Sequence, residues 1–277
     1  MGREIRRTVP LLFALLVISM PAFAQVDLTG SWAPRLYEDY IERGPGSDLG
    51  DFTGMPMNDE ARAKALLYTS NLPSTVERQC LPQAPWVMQY RPRGISIWAE
   101  EDRDGQVIAW KLGGDYLRDT VTIWMDGRPH PPEYAQHTWQ GFSTGSWDGD
   151  VLVVKTTHLK AGWMRRNGLP LSDRATMTDR FHRYGDVMTH VMIVEDPVYL
   201  TEPLVKTNGF LLAPAGTMTP YPCEPVIEVV REPGFVPHYL PGKNPFLREF
   251  GEHYGLPPEA TRGGAATALP EFAEKLR

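Results

Sequence analysis

The feature that most constrains the fold is a series of short segments in which apolar and polar residues alternate, separated by tight turns. The clearest is STGSWDGDVLVVKTTHL, residues 143–159. A period of two places successive side chains on opposite faces of a β-strand. Asp148-Gly149 is typical of a type I′ turn, in which both central residues need a positive φ. We therefore predict a β-hairpin with Leu152 and Val154 on its buried face.

A second hairpin is predicted for TMTDRFHRYGDVMTHVMIVED, residues 176–196. With Gly185-Asp186 as its turn, the hairpin pairs Phe181 with His190. The inward face is then largely apolar, with Asp179 diagonal to His190 and within side-chain reach. The face holds Met177, Asp179, Phe181, Met188, His190, Met192 and Val194.

Further alternating segments complete the predicted architecture. They are DLTGSW, ISIWAE, QVIAWKL, DTVTIWM, LVKTNGFLLA and PVIEVV. Helices are predicted only at NDEARAKALLY, which begins with a capping asparagine, and at NPFLREFGEHY. Many short strands joined by hairpins bury their apolar faces by curling together. We predict a mainly β fold, an antiparallel hairpin-connected barrel or sandwich with a few peripheral helices and long ordered loops.

The N-terminal residues have the pattern of a secretory signal peptide. Arginines precede a short apolar run and the small-residue sequence Ala22-Phe23-Ala24, and the run is too short to cross ~30 Å of hydrocarbon. We expect residues 1–24 to be this leader. Residues 25–277 are then expected to form a single barrel-like domain with helical N- and C-terminal extensions, periplasmic or secreted and without a membrane span.

Charge and cysteine content narrow the function classes. The chain carries a formal net charge of -6, which gives no electrostatic reason to bind nucleic acid. Cys80 and Cys223 are the only cysteines. In an oxidising compartment such a pair most often forms a disulfide, and the alternative is two buried thiols.

Three segments carry a resemblance. IWMDGRPHP, GFSTGSWDGDVLVVKTTHL and DRFHRYGDVMTHVMIVEDPVYLTEPL resemble a large group of secreted bacterial proteins that have no assigned activity. Gly-x-Trp followed by a W-x-G-D-x-L strand is similar, more loosely, to lipocalin-type barrels, which hold apolar molecules. The resemblance implies barrel architecture and export. It implies no catalytic residue.

A proline-rich segment contains the first group of candidate residues. Pro129, Pro131 and Pro132 stiffen the chain around His130 because proline fixes φ. We predict His130 as a catalytic acid–base, oriented by Asp126, with Arg128 binding an anionic group of a ligand. The alternative is that Asp126 and Gly127 form a turn and Arg128 pairs with a nearby acid.

Two more histidines lie in the same part of the sequence. Alternation predicts that His158, a second catalytic candidate, faces inward with Leu152 and Val154, either as a core residue or as a polar group of a pocket. His137 and Trp139 are predicted to bind ligand. The spacing of the histidines does not require a metal ion, because it lacks the usual zinc motifs, and we expect no cofactor.

The second hairpin supplies the remaining candidates. His190 is predicted to bind ligand, and with Asp179 it forms either a general base or a satisfied polar pair of the core. Arg180 is predicted on the opposite face as a ligand-binding residue, with Glu195 or Asp196 as its partner.

Two functions are compatible with these patterns. The first is an exported soluble protein that binds a small hydrophobic or aromatic molecule in a barrel pocket, with the proline-rich segment at its mouth. The second is a cofactor-free periplasmic hydratase, isomerase, lyase or hydrolase that uses histidine and aspartate as acid and base.

Overall fold

The computed structural model describes part of the chain. It covers residues 26–35, 50–67, 80, 94–114, 120–164, 167–216, 223–225, 232–234, 239–240, 242–244 and 246–275. The predicted leader lies outside the described residues, as does most of the strand predicted at PVIEVV.

The described strands form a closed barrel and a small accessory ribbon. Their bounds are β1 (Gly30–Pro34), β2 (Ile95–Glu101), β3 (Val107–Gly114), β4 (Val121–Trp124), β5 (Phe142–Asp148), β6 (Val151–Thr157), β7 (Gly162–Trp163), β8 (Pro170–Leu171), β9 (Thr176–Tyr184), β10 (Val187–Glu195) and β11 (Leu204–Leu212). The order around the barrel is β1, β11, β10, β9, β6, β5, β4, β3, β2, while β7 pairs with β8. The mainly β prediction is confirmed, and of its two forms the chain adopts the barrel.

Both predicted hairpins form. The second has the predicted register, with Tyr184 opposite Val187 and Phe181 opposite His190. In the first, Asp148 pairs with Val151, so the turn residues are Gly149 and Asp150 and the prediction of Asp148-Gly149 is wrong by one residue.

The type of turn also differs from the prediction. Gly149 and Gly185 have φ of 62° and 59°, whereas the non-glycine residues with positive φ in the described ranges are Cys80 and His158. A positive φ at the first central residue alone belongs to type II′, for which glycine is the usual residue at that place. Each Gly-Asp pair therefore uses its glycine first, and type I′ is excluded.

One neighbouring pair of barrel strands is parallel. β4 and β5 pair through Ile123 with Ser143 and Trp124 with Thr144, whereas the other neighbours are antiparallel. A parallel connection cannot be a tight turn, because the chain must return along the barrel before the next strand begins. Residues 125–141, which we call the crossover segment, make that return and include the proline-rich stretch.

Two clusters of buried apolar side chains lie inside the barrel and against it. The tip cluster, beside the Gly-Asp turns, includes Trp32, Leu152, Phe181, Met188 and Phe210. The cap cluster joins Met177, Met192, Val194 and Leu204 to residues of the 52–65 and 159–175 segments. Large buried side chains of this kind contribute about 1.5–3 kcal/mol each, so the two clusters account for much of the barrel's stability.

The helices lie outside the barrel wall. Helix α1 (Asp59–Ala65) begins at the predicted cap, since the Asn58 side chain accepts a hydrogen bond from the Ala61 N–H at 2.9 Å. Later in the chain come α2 (Phe246–Tyr254), α3 (Pro258–Thr261), a short 3-10 helix (Ala265–Ala268) and α4 (Pro270–Glu274). No helix in the described ranges is long and apolar enough to cross a bilayer.

The predicted disulfide forms between Cys80 and Cys223, whose Cα atoms are 5.8 Å apart and 143 residues apart in sequence. A cross-link that closes so long a loop removes much of the entropy of the unfolded chain. Its pairing also fits the predicted oxidising compartment.

Candidate functional site

The crossover segment lies against the outer face of β5 and β6. Ser143 and Thr156 share a hydrogen bond inside the barrel and are 1% exposed, so the alternate residues Thr144 and Thr157 face outward. Both nitrogens of His130 bond to these two threonines, Nδ1 to Thr157 and Nε2 to Thr144, at 2.8 Å each. His130 therefore binds the crossover segment to the barrel wall.

The hydrogen bonds of His158 define its tautomer. Nε2 lies 3.0 Å from the carbonyl oxygen of Pro132, which can only accept, so Nε2 carries the proton. In the neutral ring Nδ1 is then unprotonated, and it accepts the Thr157 hydroxyl proton at 2.7 Å.

The same reasoning continues to His130. The Thr157 oxygen has given its proton to His158, so it accepts the Nδ1 proton of His130. Nε2 of His130 is unprotonated and accepts from the Thr144 hydroxyl. With both imidazoles neutral, the result is a one-directional chain of hydrogen bonds from Thr144 through His130, Thr157 and His158 to Pro132. We call it the His-Thr chain.

The surroundings of His130 favour the neutral ring. Partial burial lowers the pKa of His130, and the neighbouring His158 and Lys155 lower it further. A neutral imidazole with an unprotonated Nε2 is the form of histidine that can accept a proton.

The prediction that His158 faces the barrel interior with Leu152 and Val154 is wrong. Strand β6 ends at Thr157, and His158 has φ of 57°, which breaks the alternation. Its imidazole bonds instead to outward-facing Thr157. A positive φ is uncommon for any residue other than glycine, so the strand pattern alone could not reveal it.

His137 joins the same group of rings. Its ring centroid lies 5.1 Å from that of His158, and its Nδ1 bonds to the Leu159 carbonyl oxygen at 2.9 Å. Trp139, two residues further on, packs under the Lys160 amine, which lies 5.2 Å from its ring centroid. The structure thus brings together His130, His137 and His158, the three histidines predicted as candidate site residues. It places Trp139 outside the apolar clusters.

Asp126 and Arg128 form a separate pair. The guanidinium of Arg128 binds the carboxylate through Nε at 2.8 Å and stacks 3.6 Å from the Trp124 ring centroid. The hydrogen bond from Arg128 lowers the pKa of Asp126 to about 2. Because the nitrogens of His130 bond to threonines, the orienting contact expected from Asp126 is made by Thr157. Asp126 and Arg128 instead form a turn with an ion pair, which is the alternative that their sequence left open.

Arg180 lies on the outer face of the barrel. Its Nη2 bonds to Asp148 at 2.8 Å, so the predicted partners Glu195 and Asp196 are wrong. Asp196 instead accepts hydrogen bonds from the backbone N–H and the hydroxyl of Ser172. The pairing of β6 with β9 brings Asp148 to Arg180, and that long-range pairing is not visible in local sequence.

A polar layer separates the two apolar clusters inside the barrel. Asp179 and His190 are 5% and 4% exposed, and Nε2 of His190 donates to Asp179 Oδ1 at 2.7 Å. Along β9, Asp179 lies between Met177 of the cap cluster and Phe181 of the tip cluster. The predicted diagonal contact is confirmed, and it is fully internal.

Two tryptophans inside the barrel carry donors that the sequence reasoning missed. Trp110 pairs with Ile123 and Trp147 with Leu152, which places both rings among the tip cluster. Within the described part of the chain, neither indole N–H has a hydrogen-bond partner. Strand alternation could have predicted that they face inward, but not that their N–H groups lack acceptors. Buried polar groups are normally paired, and those that are not require an explanation.

The described residues contain no group of three or more histidine, cysteine, aspartate or glutamate side chains that could hold a metal ion. The closed barrel is compatible with the likeness to lipocalin-type proteins, while the resemblance to the group of secreted bacterial proteins stays a prediction. No family model, curated protein or solved structure matches this chain.

Proposed function

We propose that this chain is an exported protein that binds a small hydrophobic or aromatic molecule inside its barrel. The observation that carries the proposal is the pair of buried indole N–H groups of Trp110 and Trp147, which have no acceptor among the described residues. A buried donor without an acceptor costs about 1–3 kcal/mol. A guest molecule with a carbonyl or ether oxygen would remove that cost.

The surroundings of the two donors suit an apolar guest. They belong to a cluster that includes the aromatic rings of Trp32, Phe181 and Phe210. Ligand sites in barrels combine such walls with a small number of polar groups that fix orientation. The two indoles would supply the polar contacts, and the rings would exclude water from them.

Export is the second part of the proposal. It is supported by the N-terminal leader pattern and by the disulfide between Cys80 and Cys223, since disulfides persist in oxidising compartments. A guest that arrives from outside the cell would meet the protein there.

The test is a fluorescence titration with two neutral aromatic probes, N-phenylnaphthylamine and acetylnaphthalene, the second of which carries a carbonyl acceptor. Trp110→Phe and Trp147→Phe keep the aromatic ring and remove the N–H group. At least one of these variants should bind acetylnaphthalene about fivefold more weakly than the wild type does. Trp98→Phe is the matched control, because Trp98 is 40% exposed and should leave affinity unchanged. A wild-type protein that binds neither probe would contradict the proposal.

The His-Thr chain favours a second function, a cofactor-free hydratase, isomerase, lyase or hydrolase. Its His130 ring is neutral, half-buried and unprotonated at the nitrogen that faces Thr144, which suits a general base. When His130 accepts a proton at Nε2, the His-Thr chain would pass one on from Nδ1 through Thr157 to His158. The discriminating variant is His130→Ala, assayed against a panel of nitrophenyl esters and α,β-unsaturated acids. An enzyme should lose turnover by about 10² or more, whereas a binding protein should keep its probe affinity.

A further inference from the structure

The contact between Asp179 and His190 defines which nitrogen of the buried imidazole is protonated. The carboxylate of Asp179 accepts from Nε2 at 2.7 Å, so the ring proton is on Nε2 and the neutral ring has an unprotonated Nδ1. Within the described residues, Asp179 is the hydrogen-bond partner shown for this ring. In the neutral form of the ring, Nδ1 is therefore an acceptor inside the barrel.

The plane of this ring is fixed by its neighbour. The imidazole of His190 stacks on the Phe181 ring with centroids 4.3 Å apart and planes 2° apart. Because the lone pair of Nδ1 lies in the ring plane, stacking and the bond to Asp179 together fix its direction. The carboxylate also makes the imidazole a stronger acceptor by polarising it.

The rows on both sides of the pair are apolar. On β10, His190 lies between Met188 of the tip cluster and Met192 of the cap cluster. A group that reaches Nδ1 must pass such surfaces, so a charged donor would lose its hydration without compensation. A neutral hydroxyl on an apolar body has a much smaller penalty, which the hydrogen bond to Nδ1 offsets.

We infer that His190 is a ligand-selecting residue whose Nδ1 accepts a hydrogen bond from a hydroxyl of the bound molecule, so that the guest is a phenol or a similar hydroxylated apolar compound. The inference rests on the proposed binding function and narrows the class of ligand. The indoles of Trp110 and Trp147 would donate to oxygen of the same molecule, and Nδ1 of His190 would accept the hydrogen bond from its hydroxyl.

The experiment compares naphthol, methoxynaphthalene and naphthalene by displacement of N-phenylnaphthylamine. The three share one apolar body, and only naphthol has a hydroxyl donor. Wild-type protein should bind naphthol at least fivefold more tightly than methoxynaphthalene. His190→Phe should abolish that preference and keep the affinity for naphthalene.

A second variant protects the test against misfolding of His190→Phe. Asp179→Asn removes the carboxylate that polarises the ring: the amide either accepts from Nε2 without that polarisation, or donates to Nε2 and moves the ring proton to Nδ1. The preference for naphthol should fall in either case. The matched control is Asp150→Asn, because Asp150 makes the same kind of bond to His182, at 3.0 Å, on the exposed surface, and it should keep the wild-type preference.

The outcomes separate the two claims. Equal binding of all three compounds by wild-type protein would overturn the role of His190 and leave the proposed binding function standing. A preference for naphthol that survives both His190→Phe and Asp179→Asn would also overturn it. Failure of all three compounds to displace N-phenylnaphthylamine, or failure of that probe itself to bind, would contradict the binding function and this inference with it.

Discussion

The hydroxyl of Thr157 lies between two imidazoles, 2.8 Å from Nδ1 of His130 and 2.7 Å from Nδ1 of His158. A single hydroxyl has one proton, so it can donate to one ring and accept from the other. This relationship makes Thr157 the centre of the His-Thr chain and one of the points at which the crossover segment is attached to the barrel.

Thr157→Val should destabilise the protein by about 2 kcal/mol, because it removes two hydrogen bonds and leaves a donor and an acceptor unpaired at a partly buried site. Thr144→Val removes one hydrogen bond at the end of the His-Thr chain and should lower the free energy of unfolding by about half as much. Urea unfolding measures both. Thr189→Val, at an exposed position of β10 that lies two strands away from β6, is the control and should change stability little. Equal stabilities for Thr157→Val and Thr189→Val would show that the His-Thr chain does not hold the crossover segment.

The lowered pKa of His130 predicts how stability depends on pH. The unfolded chain takes up the proton first, at about the ordinary histidine pKa of 6.5, so the folded state loses stability as the pH falls below that value. Above pH 6.5 both states are neutral at this residue and its contribution is constant. Urea unfolding between pH 8 and pH 5 should show a smaller acid-side loss in His130→Gln than in wild type. His253→Gln, on the short helix α2, serves as control. If wild type and His130→Gln lost the same amount of stability at acid pH, the proposed contribution of His130 would be refuted.

Asp126 should titrate with a pKa of about 2 in wild-type protein because of its hydrogen bond to Arg128. Arg128→Gln should bring the value back towards the ordinary 3.8. Carboxyl carbon chemical shifts followed by NMR during an acid titration report this directly. Since the pair is exposed, overall stability should scarcely change. An unshifted Asp126 in the wild type would mean that the ion pair does not persist in solution.

Removal of the disulfide should destabilise the protein by about 2–5 kcal/mol, the range expected when a long loop is released. Cys80→Ala with Cys223→Ala is the appropriate variant, and thermal unfolding with and without reductant is the measurement. Reductant should lower the melting temperature of wild type and leave that of the double variant unchanged. A wild-type melting temperature that does not change with reductant would contradict the disulfide.

The local sequence pattern was sufficient to predict strand pairing where the paired strands are adjacent in sequence. The alternation around Gly185-Asp186 predicts both the pairing of Phe181 with His190 and the contact of His190 with Asp179, because hairpin register follows from the turn. The helix cap at Asn58 is likewise a local property of a few residues.

The sequence could not predict what depends on distant pairing or on a single dihedral angle. The parallel pairing of β4 with β5 turns the stretch around His130 into a crossover on the outer wall, where a hairpin connection would have left it at the barrel mouth. The positive φ of His158 turns its ring away from the interior row. The missing acceptors of Trp110 and Trp147 depend on the packing of the whole cluster.

Native mass spectrometry of the protein isolated from its own host, without a refolding step, tests directly whether the barrel holds a guest. The wild-type mass should exceed that of the polypeptide by one small organic molecule, which gentle collisional activation releases. In the variant with both Trp110→Phe and Trp147→Phe, that excess should fall sharply. A wild-type barrel that carries no excess mass, with its disulfide intact, would contradict the claim that the interior holds a guest.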